Sequence, residues 1–233
     1  ESYLMLGAKI GAFSMLMGQH KTHPDSSQFP FSYLFGDEKG ATVVVPGVML
    51  RSCGLMRDEK KWPARDRRLK RRLPIHDRIV FDVLNPLTVE KMLSASDVID
   101  ALLNKPADDD RYVRYRGMKF TRASLERAKF LYTLGIYKYL DLHIDETGFP
   151  YREPGHISAE WVDMAGLPVP RTCLKRVKRA ESIEEIERVF DEAFNHYRNL
   201  ERAWIASRFD DKWRKPKAVI SEFASQFDKM VEE

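Results

Sequence analysis

The residues with most chemical potential lie together near the start of the chain, in Gly18-Gln-His20-Lys-Thr-His23-Pro-Asp25-Ser-Ser-Gln-Phe29-Pro30-Phe31-Ser-Tyr33-Leu34-Phe35-Gly36. Imidazole titrates near neutral pH, so His20 can serve as a general base. His20-x-x-His23-x-Asp25 also offers imidazole and carboxylate, the ligand types of zinc and similar divalent ions. Pro24 breaks any regular spacing, no fourth ligand is near, and Cys53 and Cys173 are remote in sequence, so no metal is expected. A loop histidine without chemistry stands open beside both readings. Neither cysteine has a motif partner that would make it a nucleophile, and residue order assigns no Ser-His-Asp set.

A second cluster is basic. Residues 51–78 hold eleven Lys and Arg against Asp58, Glu59, Asp66 and Asp77, a local excess of seven that exceeds the +4 of the whole chain. Lys60-Lys-Trp62-Pro-Ala-Arg65-Asp-Arg67-Arg68-Leu-Lys70-Arg71-Arg72 mixes guanidinium groups with one indole. Such a strip can neutralise phosphates, but its acids dilute the field and it holds a single aromatic. It reads as a charged connector, or as a seat for the phosphates of a cofactor on Arg67, Arg68, Arg71 and Arg72. Nucleic acid is not the expected partner. No Gly-rich phosphate loop is present.

The elements that must position these groups come next. Gly7, Gly11 and Gly18 alternate with Leu6, Ile10 and Leu16, and Ile10-Gly-Ala-Phe-Ser14 fits a six-residue unit of one aliphatic and several small residues. In a parallel β-helix the aliphatic side chain fills a narrow prism and small residues make its corners. Ala41-Thr-Val-Val-Val-Pro-Gly-Val-Met-Leu50 repeats the pattern around Pro46-Gly47, although the same residues suit a simple hairpin.

Taken in order, Ile10-Gly11-x-Phe13-Ser14, His20, Ser27, Phe29-Pro30-Phe31, Phe35 and Pro46-Gly47-Val48 resemble the hexapeptide-repeat acyltransferases over about 45 residues. Gln19 stands where that family usually has Asn, and the interval from His to Pro-Phe is longer here. The run from Glu1 through Arg51-Ser-Cys-Gly54 is also similar to the carboxy-terminal part of a family of long bacterial β-helix proteins of unassigned function. The resemblance implies the end of a left-handed parallel β-helix. It further implies His20 as general base with Gln19, and Phe29, Phe31, Tyr33 and Phe35 walling an acceptor pocket near His23 and Asp25. Acyl coenzyme A would be the co-substrate, a sugar or small molecule the acceptor, and a homotrimer the assembly.

Three regions separate on pattern. Residues 1–56 read as terminal β-helix coils with an inserted loop at 19–40, 57–84 as the basic connector, and 85–233 as a mainly helical tail or bundle. In the last region Asn85-Pro86 starts a helix that runs to Asn104. Residues 112–120 suggest a small hairpin, and Thr121 caps a long helix through Leu140. Residues 158–180 look like two short helices around Gly166-Leu-Pro-Val-Pro170. Ser182 with Glu185 forms a capping box that opens one amphipathic helix from Ile183 to Ile205. Pro216 starts a final helix.

Composition limits the alternatives. At 233 residues, roughly two-thirds of the unfolded surface can be buried, so a core needs no covalent staples. Two cysteines suggest a reducing, cytoplasmic setting. No apolar run approaches the ~18 residues of a membrane span, and no signal-peptide pattern opens the chain. Glu1 in place of Met, already inside a patterned segment, reads as the start of a fragment or cleaved product. The expectation is thus a mixed β and α chain that transfers an acyl group, the alternative being a non-catalytic binding or assembly module.

Overall fold

The computed structural model describes residues 2–51, 53–71, 76–106, 111–150 and 160–232. In chain order the strands and helices begin with β1 (Tyr3–Leu4), β2 (Met15–Met17), β3 (Gln19–His20), β4 (Tyr33–Gly36) and β5 (Thr42–Val45). A 3-10 turn at Val48–Arg51 leads to α1 (Cys53–Ala64), α2 (Arg67–Lys70) and α3 (Pro86–Asn104). Next come β6 (Val113–Tyr115), β7 (Met118–Phe120), α4 (Arg122–His143), β8 (Trp161–Met164) and β9 (Leu167–Pro170). Helices α5 (Arg171–Val177), α6 (Ile183–Asn195), α7 (Tyr197–Arg208) and α8 (Lys217–Glu232) complete the chain. They group into two compact units: residues 1–56, 88–138 and 223–233, and residues 57–87 and 139–222.

The β-helix expectation is overturned. Parallel pairing is present where β1 meets β3 and β2 meets β4, but it does not propagate as stacked coils. β4 turns antiparallel onto β5, and β5 pairs with β7 of the β6–β7 hairpin, giving a mixed five-stranded sheet in the order β2-β4-β5-β7-β6. The aliphatic residues that would fill a prism do not do so: Leu6 is 95% exposed, and Ile10 and Leu16 are only half-buried. The fold is a mixed α/β arrangement of small sheets and helices, and no solenoid forms among the described residues.

In the first unit, α3 and α4 contribute most of the apolar core. Asn85 Oδ1 accepts from the Leu87 N–H at 3.0 Å, capping α3 where Pro86 has no N–H to satisfy. Thr121 Oγ1 accepts from Ser124 N–H at 3.1 Å and opens α4. Val89, Met92 and Ile99 of α3 and Leu125, Leu131 and Ile136 of α4 are buried with Leu34 and Val44 of the sheet. Tyr132 donates its hydroxyl to the Pro30 carbonyl at 2.7 Å, fixing the Phe29–Phe31 segment against α4. Gly36 is required by a close approach: a Cβ there would lie 2.0 Å from the Gln19 carbonyl oxygen.

The second unit departs from expectation twice. Of the two short helices expected over 158–180 the second is present as α5, but residues 161–170 form a hairpin, with Trp161 opposite Pro170 and Met164 opposite Leu167. Ala165 and Gly166 both have positive φ, 56° and 89°, as a two-residue hairpin turn demands. Met164 and Leu167 form the hydrogen-bonded pair next to the turn, so alternation leaves Pro168 and Pro170 at non-bonded positions where a missing N–H costs nothing. The Ile183–Ile205 stripe is likewise split, breaking at His196 (φ −104°, ψ 11°). The His196 ring Nδ1 and its own backbone N–H both donate to the Glu192 carbonyl, at 2.8 and 3.1 Å. The capping box is present, with Ser182 Oγ accepting from Glu185 N–H at 3.2 Å.

Candidate binding groove

The residues singled out for acyl transfer are spread between core and surface. His20 is fully buried, its Nδ1 3.0 Å from Thr42 Oγ1 and its Nε2 enclosed without a well-formed hydrogen bond. Burial pushes its pKa below the ordinary imidazole value, and the Met17 backbone offsets only part of that. Enclosed this way, His20 presents no nitrogen to solvent. Gln19 and His23 are exposed. Asp25 is half-buried, accepting from Ser27 Oγ at 2.6 Å and pairing with Arg116 at 3.3 Å.

The aromatics divide between full burial and partial exposure. Phe29 and Phe31 have no exposed surface. Phe29 packs against Phe120 with ring centroids 5.3 Å apart, and Phe31 stacks on Phe13 at 5.3 Å. Tyr33 and Phe35 are half-buried and meet edge to face at 4.8 Å. Among the described residues, His, Cys, Asp and Glu form no group of three that could hold a metal ion.

The basic run is divided. Arg68 is taken up by Asp66 at 2.7 Å and by Asp77, while Arg67 and Arg71 are exposed. Arg72 lies outside the described residues.

Within the first unit, the structure instead offers an open groove of about 370 Å³ lined by Arg51, Arg127, Phe130, Leu131, Leu134, Gln226, Lys229 and Met230. Helical spacing builds both walls. Arg127, Phe130, Leu131 and Leu134 stand at i, i+3, i+4 and i+7 on α4, and Gln226, Lys229 and Met230 at i, i+3 and i+4 on α8. Tyr137 stacked on Phe223 at 4.7 Å and Lys138 paired with Asp228 at 2.6 Å hold α8 against α4.

Leu131 and Leu134 also belong to the core, whereas Phe130 is 53% exposed. The rim carries Arg51 from the 3-10 turn, Arg127 from α4 and Lys229 from α8, none with an ion-pair partner among the described residues. The floor is apolar and the rim is positive. From sequence, α4 is only a long helix opened by Thr121, and a helix identified alone shows no groove. The signal was Phe130, a large apolar residue beside Arg127.

The second unit contains a buried ionic cluster that looks catalytic by composition and is closed by geometry. Glu201, fully buried, accepts from Tyr139 Oη at 3.1 Å, His143 Nε2 at 3.1 Å and Arg198 Nη1 at 2.8 Å. Arg198 also reaches Asp82 at 2.8 Å. Burial opposes charge on both His143 and Glu201, yet their mutual hydrogen bond and attraction outweigh it, raising the imidazole pKa and lowering the carboxyl pKa. His143 Nδ1 donates to the Tyr139 carbonyl at 2.7 Å, so both ring nitrogens are engaged and neither faces a substrate.

With the fold and the groove described, comparison with known families adds two matches. Residues 1–103 are similar to a domain of unknown function (DUF4954) and residues 152–233 to another (DUF6819). No hexapeptide-repeat family model matches, which overturns the acyltransferase resemblance together with its fold. No curated protein and no solved structure matches the chain. The groove draws Arg51 from the first matched stretch, Gln226, Lys229 and Met230 from the second, and its α4 wall from the segment between. No described helix is long and apolar enough to cross a membrane.

Proposed function

We propose that this chain is a binding module whose groove on α4 and α8 receives an acidic amphipathic helix of a partner protein. The observation that carries this is the pairing of a partly exposed apolar floor with three rim cations, from three separate elements, that have no ion-pair partner among the described residues. A small ligand needs most of its surface enclosed, whereas this groove is open along one side. A third helix laid between two others fills such a trough through anchors at i, i+3, i+4 and i+7. Arg51, Arg127 and Lys229 then select acidic flanks by complementarity. The burial of His20 favours this reading over acyl transfer, which needs an accessible base.

The test is fluorescence anisotropy with a labelled amphipathic peptide of about 16 residues, with leucines on one face and glutamates flanking them. A lysine-flanked counterpart serves as the control. The acidic peptide should bind, weaken with salt, and lose at least about tenfold affinity to the double variant Arg127→Glu/Lys229→Glu. Equal binding of both peptides, or an unchanged variant, would sink the proposal. Thiol release from acetyl coenzyme A that disappears in His20→Ala would instead support acyl transfer.

A further inference from the structure

The basic run has a property that its composition conceals. Three of its four acids, those whose side chains are described, do not dilute the field evenly, because they are concentrated on few partners. Asp66 and Asp77 both bind Arg68, and Glu59 accepts the Val83 N–H. Arg78 is held by Asp191 at 2.5 Å. What remains is a run of cations on α1 and α2 and at their C-terminal ends, in which Lys61, Arg65, Arg67 and Arg71 are exposed and have no ion-pair partner among the described residues.

These cations are ordered by the helices that carry them. The Arg65 N–H donates to the Lys61 carbonyl at 3.1 Å, and the Arg71 N–H donates to the Arg67 carbonyl at 3.1 Å. Each pair is therefore one helical turn apart and can bridge neighbouring phosphates. Trp62, next to Lys61, is 65% exposed. Its exposed indole offers a flat π-face on which an unpaired base can stack, close in sequence to the four cations.

We propose that this α1–α2 surface binds single-stranded nucleic acid, with Lys61, Arg65, Arg67 and Arg71 on the phosphates and a base stacked on Trp62. Stacking needs an unpaired base, which a duplex does not offer to a side chain on a helix surface. A small phosphorylated cofactor needs most of its surface enclosed, whereas all four of these cations are exposed. This site is independent of the groove on α4 and α8, and either can fail without the other.

The experiment is binding of a fluorescein-labelled oligouridine of about 12 nucleotides to the full chain across a salt series. With four phosphate contacts, log K should fall with log salt at a slope of about −3, and Arg67→Gln/Arg71→Gln should reduce that slope by about 1.4. Trp62→Ala should weaken binding about 5-fold to 100-fold, and Trp62→Phe should restore much of it. Circular dichroism checks that each variant is folded. Trp62→Ala binding as tightly as the parent, or equal competition by heparin and oligouridine at matched charge, would overturn the proposal, since either means that no base is recognised.

Discussion

Replacing Glu201 by Gln probes the buried cluster of the second unit with little change of shape. The carboxylate accepts from His143 and Arg198, both cationic donors, and from Tyr139. The hydrogen bond to His143, whose side chain is 16% exposed, contributes about 1.5–3 kcal/mol as a charge-assisted bond. Arg198 is 63% exposed and its pairing is screened to under about 1 kcal/mol. Both cationic donors reach the same carboxylate oxygen, so the amide keeps that acceptor but loses the charge that offsets them, and breaking a buried pair from one side costs about 3–5 kcal/mol. We expect a loss of about 3 kcal/mol.

All four tryptophans, Trp62, Trp161, Trp204 and Trp213, fall in the second unit, so tryptophan fluorescence during urea unfolding reads that unit specifically. The pH profile supplies a second readout. Because the folded pKa of His143 is raised, its contribution is complete below about pH 6.5 and is lost as pH rises through the folded value. Glu201→Gln should flatten that decline. A loss below about 1 kcal/mol with an unchanged pH profile would refute the reasoning.

Four further expectations follow from the same geometry. His20 is perturbed in the opposite sense, its folded pKa lowered by burial. It therefore leaves stability intact above about pH 6.5 and removes it as pH falls through the folded value; His20→Gln should reduce the acid loss seen by circular dichroism. Phe29→Ala should cost about 3–5 kcal/mol in urea unfolding as a core deletion, where a pocket wall would lose far less. Gly36→Ala should destabilise by more than about 2 kcal/mol, because its Cβ meets backbone at 2.0 Å and not a side chain that can move. In the β8–β9 hairpin, Pro168→Ala keeps the ladder and loses only buried packing, whereas Val169→Pro also removes a ladder N–H and should lower the melting temperature by several degrees more.

Local signals carried well from sequence to structure. Asn85-Pro86, Thr121 and Ser182 all stand at helix starts, since capping depends on residues within one turn of each other. The 161–170 segment was misread because two prolines in ten residues suggest broken helices until strand register is known. Gly11, Phe13 and Ser14 suit a β-helix corner, but pairing partners are set by distant chain: β5 adds β7 from more than 70 residues away, which no short repeat reveals. For the candidate site the difficulty was the reverse. His20 has the right type for catalysis and lies in the core against Thr42, while Arg127, Phe130 and Lys229 have no motif and become neighbours only when α8 packs on α4.

The most direct measurement of the groove proposal is hydrogen exchange of the full chain with and without the saturating acidic amphipathic peptide. The account predicts added protection centred on residues 127–134 of α4 and 226–230 of α8, the two stripes that line the groove. Protection appearing elsewhere while these stripes exchange unchanged, at peptide concentrations where binding is complete, would contradict it.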